Sequence, residues 1–272
     1  QLLELLKLIK MERRVVITGL GVVAPNGVGL EDFKSALKEG RSGIQFDQQL
    51  ADLKFSCQVS GTPPIDKNNV DEYFTDLELR NFNSTGIMYG VIAGLEAWKD
   101  AGLQISEGKN PDWDSGTIFG TGTSGIEKFR DCIYKIDALQ TRRLGSTAVS
   151  QTMNSGISAY LGGKLGLGNQ VTTNSSACTT GTESILMAFD RIKSGKAKRI
   201  LAGSTSDSGP YIWAGFDAIK VCNYKSNNDP EKASRPMSAS AAGFVPGSGA
   251  GALVIEDLES ALARNAKIYC EI

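Results

Sequence analysis

Short β-rich runs alternate with helical stretches along most of this chain of 272 residues. Runs that are rich in Val, Ile or Thr, or uninterruptedly apolar, predict strands at Arg14–Thr18, Gly116–Phe119, Gln170–Thr173, Arg199–Ala202 and Ala252–Ile255. Apolar residues at helical spacing predict helices at Leu30–Lys38, Gly86–Ala101, Ser158–Leu165, Thr180–Lys193 and Leu258–Arg264. Strands separated by helices indicate an α/β protein with a largely parallel core sheet. No low-complexity linker interrupts this pattern, so we expect one continuous domain.

Glycines support the predicted helix ends. Gly40, Gly102 and Gly195 each follow a helical run, where a left-handed residue commonly ends a helix.

The chain contains no histidine. Imidazole metal ligands, and any Ser–His or Cys–His mechanism completed within these residues, are therefore excluded. The 29 Lys+Arg residues are balanced by 30 Asp+Glu residues, which gives no basic surface for a nucleic acid. We expect no metal site and no nucleic-acid partner.

The five cysteines are widely separated, and no two form a C-x-x-C pair. A disulfide framework is not expected at this length and density, which indicates a reducing, cytoplasmic environment. No apolar run is long enough to span a membrane, so no membrane association is expected.

The first ten residues differ from the rest. Gln1–Lys10 has the pattern of a short amphipathic helix and lacks the cleavage site of a signal peptide. We interpret it as a tag or an upstream segment, with Met11 as a plausible natural start. A helix that binds a partner is the alternative.

A glycine motif near the amino end matches a dinucleotide fingerprint in letters only. Gly19, Gly21 and Ala24 follow a predicted strand with the spacing G-x-G-x-x-A. The fingerprint needs a helix at its last position, but Pro25 and further glycines come next, and the helix begins only near Leu30. Nucleotide binding is therefore not expected.

A cysteine lies where a predicted strand gives way to a helix. In Val171–Gly181 a β-rich run breaks into small residues around Cys178, and the helical pattern of Thr180–Lys193 begins at once. The free amide groups and the dipole at a helix start favour a thiolate and stabilise an oxyanion. Two interpretations remain open on these residues alone, namely a nucleophile and a cysteine packed at a helix start.

A third region is dense in glycine. It begins with Ser234-Arg-Pro236 and continues through Gly243–Glu256 into a predicted strand. By itself this segment indicates only a turn-rich approach to the sheet.

Together these motifs resemble the β-ketoacyl-[acyl carrier protein] synthases, and within them the elongating type. The resemblance runs from Arg13 to the last residue. Its landmarks are Arg13–Gly21, Gly120–Gly125, Asn174–Gly181, Asp229–Pro236, Gly243–Glu256 and Ala266–Ile272.

The resemblance implies a thiolase-like fold, in which two related α/β halves form a layered αβαβα sandwich. It implies that Cys178 accepts an acyl chain from a carrier-protein thioester, before decarboxylative condensation with malonyl-carrier protein. The partner is then acyl carrier protein, whose phosphopantetheine arm carries the substrates, and no cofactor is expected. In the family the histidines that serve condensation lie in the second half.

The same resemblance divides the chain. Residues 11–257 match the half that bears the nucleophile, and residues 258–272 match a linking helix and the first strand of the second half. We expect a truncated chain that lacks condensing activity on its own; a natural half-protein is the alternative.

Matching to the family assigns further positions. Thr123 and Phe216 fall where family members line the acyl pocket, although Phe216 is equally compatible with ordinary core packing. Lys220 falls where it could meet the carrier protein, although a lone surface lysine is usually only solvated. Family members are dimers that pair near Gln170–Thr173, and Met153 and Asn154 are expected close to that interface.

The chain departs from the family at Met237–Ala242, which is neutral, and at Ser248, where an acidic residue is usual. Fatty-acid and polyketide or polyene pathways therefore both remain open. Two other classes also remain: a non-condensing acyl-binding or partner subunit, and a thiolase-type degradative enzyme.

Overall fold

The central element of the computed structural model is one seven-stranded sheet; the structure describes residues 13–106 and 110–272. Its strands are β1 (Val15–Ala24), β2 (Gly27–Val28), β5 (Ser115–Thr121), β6 (Val171–Thr172), β7 (Arg199–Ser206), β8 (Gly249–Asp257) and β9 (Cys270–Glu271). They follow the order β2-β1-β8-β7-β5-β6, and β9 also pairs with β1. A separate small sheet joins β3 (Gln45–Phe46) to β4 (Val59–Ser60). The interpretation of residues 1–10 lies outside the described residues.

The sheet is mixed rather than largely parallel. β5 pairs in parallel with β6 and β7. β8 lies between β7 and β1 and runs opposite to both, so these two pairings are antiparallel. The strands β1, β5, β6 and β7 consequently point in the same direction, and the expected parallel core is interrupted by one reversed strand.

Helices cover both faces of the sheet. Their bounds are α1 (Leu30–Glu39), α2 (Gln48–Asp52), α3 (Lys67–Asp71), α4 (Asp76–Leu79), α5 (Thr85–Asp100), α6 (Ile126–Asp137), α7 (Ala148–Thr152), α8 (Gly156–Leu165), α9 (Thr180–Lys193), α10 (Pro210–Ala218) and α11 (Leu258–Ala263). One hydrophobic cluster joins α5 and α8 to one face of the sheet, and a second joins α9 to the other face. This α/β/α arrangement confirms the predicted fold class.

The five predicted helices and five predicted strands are all present, with shifted ends. β1 extends six residues beyond the predicted end at Thr18, to Ala24, through the glycines that made the pattern look broken. Six of the helices described, α2, α3, α4, α6, α7 and α10, lie outside the predicted set. Gly40, Gly102 and Gly195 have positive φ angles after their helices, as their positions predict.

The glycines of β1 allow α5 to lie against the strand. A Cβ atom on Gly21 would lie 1.9 Å from the carbonyl oxygen of Ala93, and one on Gly19 would lie 2.2 Å from that of Ala97. Both distances are far inside van der Waals contact. Gly19 and Gly21 are therefore packing glycines within a strand, which agrees with the expectation that they form no nucleotide-binding turn.

Carboxylates of α5 complete the hydrogen bonding of β1. Glu96 accepts the amide N–H groups of Val22 at 2.8 Å and Leu30 at 2.6 Å, and Asp100 accepts that of Leu20 at 2.9 Å. Burial raises the pKa of Glu96, and the amides of Val22 and Leu30 act in the opposite direction. The contacts to Leu20 and Val22 satisfy amides on the side of β1 that faces away from β8.

The carboxyl-terminal residues extend the same sheet. α11 follows β8 directly, and Asp257 accepts the amide of Ser260 at 3.1 Å as its cap. Cys270 and Glu271 then pair antiparallel with Ile17 and Val16 of β1. The assignment of residues 258–272 to a second half stays a prediction. Among the helices described, none combines the length and the apolar character that a bilayer crossing requires.

We expect Gly21→Ala to lower the free energy of unfolding by about 3 kcal/mol, since the new methyl group collides with backbone that has no room to move. Chemical denaturation measures the change. Gly251→Ala is the matched control, because Gly251 lies on the adjacent strand β8 and a methyl group added there would meet no other described residue within 4 Å. A Gly21→Ala protein as stable as the control would contradict this account of the α5–β1 contact.

Candidate active site

A cleft of about 920 Å³ lies at one end of the sheet. It is lined where β1, β5, β6 and β7 end, by residues such as Ala24, Gly122, Ser175 and Ser206. Because β8 runs the other way, its beginning around Gly249 also faces this cleft. The carboxyl ends of parallel strands are where α/β proteins commonly bind ligands.

Cys178 lies in this cleft and is exposed. It is the middle residue of a single 3₁₀ turn, Ala177–Thr179, which leads directly into α9. Ala177 has a φ of 50°, in the left-handed region that non-glycine residues seldom adopt. Cys178 thus lies between a strand and the start of a helix, as the sequence predicts.

The backbone around Cys178 leaves an amide donor available. Thr179 donates its amide to the Ser176 carbonyl at 3.1 Å, and Ser176 donates its own amide to the Thr180 hydroxyl at 2.9 Å. Within the described ranges, the amide of Cys178 has no such partner. A free amide at the start of a helix favours negative charge, both on a thiolate and on a developing oxyanion.

Asn174 connects the end of β6 to α9. Its amide group donates to the Thr180 carbonyl at 2.8 Å, and its oxygen accepts the hydroxyl of Ser184 at 2.7 Å. β5 lies tightly against this connection, since a Cβ atom on Gly120 would lie 2.2 Å from the Thr180 side chain. The turn that carries Cys178 is therefore fixed from two sides by packing and hydrogen bonds.

A buried carboxylate holds the neighbouring glycine turn. Asp207 follows β7 and accepts the Gly125 amide at 2.5 Å and the Gly86 amide at the start of α5. Burial raises the pKa of Asp207, whereas the amides of Gly86, Gly125 and Ile126 lower it. One side chain thus joins the beginnings of α5 and α6 and fixes the end of the turn Gly120–Gly125.

The two predicted pocket residues line the same cleft as Cys178. Thr123 lies in the glycine turn, where the Thr121 hydroxyl donates to its carbonyl at 2.7 Å. Phe216 lies on α10 with 48% of its surface exposed, which distinguishes it from the buried core. The structure brings Cys178, Thr123 and Phe216 to one cavity, while their roles in acyl binding stay predictions.

The comparisons with known proteins agree with this architecture. A family model described as Beta-ketoacyl synthase, N-terminal domain, matches residues 12–261. The chain belongs to the β-ketoacyl synthase family. It is 35% identical over 264 residues to 3-oxoacyl-[acyl-carrier-protein] synthase 1 of Escherichia coli (strain K12). That match covers 96% of this chain and 63% of the relative, so the chain spans less than two thirds of that protein.

Solved structures place this β-ketoacyl synthase chain in the thiolase-like fold. A β-ketoacyl synthase from Burkholderia phymatum STM815 superposes with a TM-score of 0.84 at 28% identity, over 96% of this chain and 63% of that one. A ketosynthase bound to a hexaketide, solved with its type II polyketide acyl carrier protein, gives a TM-score of 0.81 at 25% identity, over 96% and 62%.

The sequence pattern did not indicate Asp207, Ser204 or Ser206. Asp207 has no motif of its own, although an acidic residue between an apolar strand and Gly209-Pro210 signals the end of that strand. Ser204 and Ser206 belong to the same stretch and line the cleft. That these two residues line the cleft is apparent only once the position of β7 in the sheet is known.

The exposed and buried cysteines should differ in their rate of labelling by a thiol reagent. We expect iodoacetamide at about pH 8 to modify the exposed Cys178 and Cys270, and to spare the buried Cys57, Cys132 and Cys222. Burial raises the pKa of the Cys57 and Cys222 thiols, that of Cys222 to about 11, so their thiolate fraction stays small.

Peptide mass spectrometry of the labelled protein gives the occupancy at each cysteine. Denatured protein is the control, in which all five cysteines should react. Labelling of Cys222 as fast as Cys178 in the folded protein would show that the small cluster of Cys57, Val59, Cys222 and Ala233 is not buried as described.

Proposed function

We propose that this chain carries the acyl-accepting site of a β-ketoacyl-[acyl carrier protein] synthase, with Cys178 as the nucleophile. The observation that carries the proposal is the exposed Cys178 at the start of α9, in a cleft formed by strand ends. Family membership supports the same role, because acyl transfer to this cysteine is the activity that the family resemblance implies.

The first step is a thioester exchange. The Cys178 thiolate attacks the carbonyl carbon of the carrier-bound acyl group, and the amide of Cys178 stabilises the resulting oxyanion. The new C–S bond forms as the bond to the carrier's sulfur breaks. The carrier leaves as a thiolate and takes a proton from solvent, which balances the proton that Cys178 released to solvent when it ionised. The acyl chain then occupies the cleft beside Thr123 and Phe216.

The second step is decarboxylative condensation. Loss of carbon dioxide from malonyl-carrier protein produces a carbanion, which attacks the acyl thioester and releases Cys178. In the family two histidines serve this step, and these 272 residues contain none. We therefore assign only acyl transfer to the residues described and expect no condensation from the 272-residue chain alone.

Acyl carrier protein is the proposed partner. The similar ketosynthase was solved in complex with its acyl carrier protein, and Lys220, the residue proposed to meet it here, is exposed just after α10. The similar proteins include both a fatty-acid type and a polyketide type, so the pathway is left as either class. The free cysteines of the described chain agree with our proposal of a reducing, cytoplasmic location.

We also propose a homodimer that pairs along β6. This two-residue strand lies at an edge of the sheet and is hydrogen-bonded to β5 alone among the described strands. Exposed apolar side chains lie on the nearby α7 and at its end, among them Val149 and Met153. An unpaired strand edge beside an apolar surface is a common site of subunit pairing.

Acylation tests the leading proposal. Incubation with hexanoyl-N-acetylcysteamine should add one hexanoyl group at Cys178, since the thiolate displaces the cysteamine thiol. Mass spectrometry of the intact and digested protein locates the adduct. Cys178→Ala should abolish it, while Cys270→Ala, which removes the other exposed thiol, should not. An adduct that persists in Cys178→Ala would overturn the assignment. Acylation of the complete protein without any condensation would instead favour an acyl-binding subunit.

The dimer is tested on its surface. Met153→Arg places a charge in the proposed apolar interface, and we expect it to convert the dimer to a monomer in sedimentation equilibrium. Leu262→Arg is the matched control, because Leu262 is also exposed but lies on α11, which packs by β1 and β8 and away from β6. A wild-type chain that sediments as a monomer would contradict pairing by these residues.

A further inference from the structure

Three hydroxyl groups form a hydrogen-bonded chain that ends at the Cys178 cleft. The oxygen of Ser248 lies 2.5 Å from that of Ser208, which in turn lies 2.8 Å from the phenol oxygen of Tyr89. Ser248 is 8% exposed and Tyr89 is 4% exposed. Ser248 lines the cleft, so this largely buried chain reaches the same cavity as the nucleophile.

The inner end of the chain is anchored in α5. Tyr89 belongs to α5, and the amide of Ser208 donates to the hydroxyl of Thr85 at 2.8 Å in the first turn of that helix. Burial raises the pKa of the Tyr89 phenol, and the charge of Asp207 adds to this effect. Tyr89 therefore keeps its proton and acts as a hydrogen-bond donor.

The acidity of the phenol gives the chain a direction. Either oxygen can be the donor in each of the two contacts. Because a phenol is more acidic than an aliphatic hydroxyl, we assign Tyr89 as the donor to Ser208, which leaves the Ser208 O–H to donate to Ser248. Ser248 has thereby accepted one hydrogen bond and retains its own O–H. Its oxygen lies 2.5 Å from that of Ser208, and its side chain also lies close to the Tyr89 phenol. Successive hydrogen bonds polarise one another, which makes the terminal O–H a stronger donor.

We infer that Ser248 is a substrate-binding residue whose hydroxyl donates a hydrogen bond to a carbonyl oxygen of the acyl substrate in the Cys178 cleft. This inference rests on the proposed acyl transfer to Cys178. Tyr89 and Ser208 act as positioning residues, because they orient the Ser248 hydroxyl without reaching the substrate.

The residue type at position 248 is informative. In the family an acidic residue is usual at this position, and an ionised carboxylate accepts hydrogen bonds but donates none. Serine therefore gives this cleft a neutral donor in place of a negative charge.

Acylation kinetics test the inference. With hexanoyl-N-acetylcysteamine as the probe, Ser248→Ala should slow acylation of Cys178 by about three- to tenfold, the effect of one lost hydrogen bond. Ser248→Thr keeps the hydroxyl and should restore most of the rate. Tyr89→Phe should slow the reaction less, and adding it to Ser248→Ala should cause no further loss, because both changes act through one donor.

A second reagent separates binding from structural damage. The reagent 4,4′-dithiodipyridine contains no oxygen that could accept a hydrogen bond, so its rate of reaction with Cys178 should be unchanged in Ser248→Ala. Ser158→Ala is the matched control, since the Ser158 and Thr173 hydroxyls form a similar pair at 2.6 Å outside the cleft. It should leave both rates unchanged.

The outcomes are distinct. If Ser248→Ala is acylated as fast as the wild type, or is slowed equally with both reagents, the role of Ser248 in binding is wrong. If the wild type is not acylated at Cys178 at all, the proposed function fails, and this inference fails with it.

Discussion

The contact between α5 and the sheet is the constraint on which the rest of the structure depends. Glycines of β1 let the backbone of α5 approach that of β1 closely. Glu96 and Asp100 of the same helix accept the β1 amides that face away from β8. Glycines also allow α8 to pack closely on α5, since Gly90 and Gly94 of α5 lie against Ile157 and Leu161 of α8. Glycine within a helix costs about 1 kcal/mol each relative to alanine, which close packing of both neighbours offsets.

The position of the glycine turn in the site depends on α5. Asp207 accepts the amide of Gly86 at the beginning of α5 and that of Gly125 before α6, so the glycine turn is placed relative to the core. The hydroxyl chain from Tyr89 starts on the same helix and ends at the cleft. Cys178 is fixed separately, through Asn174 and the start of α9. The cleft thus lies between two parts, the glycine turn and the Cys178 turn, which contact each other where Gly120 packs on Thr180.

The fold class and the place of Cys178 before a helix could be predicted from the sequence because both have local signals. Cys178 lies between a β-rich run and a periodic helix, and that order is visible in the letters. The length of β1 could not be predicted, because Gly19 and Gly21 look like a turn until α5 is known to cover them. The direction of β8 and the links made by Asp207 and Ser248 depend on residues far apart in the sequence, which periodicity does not report.

Because β8 runs opposite to both of its neighbours, the residues that precede this strand form one wall of the cavity. A parallel strand in that position would face the cavity with its last residues, which are followed by a helix that must still pack on the sheet. β8 instead faces it with its first residues, so the long connection between α10 and β8 enters the sheet from the cavity side. Within that connection Cys222 and Ala233 pack against Cys57 and Val59, whereas Met237 and Phe244 are exposed. The exposed residues of this connection can therefore vary in sequence on the cavity side without a change in any strand register.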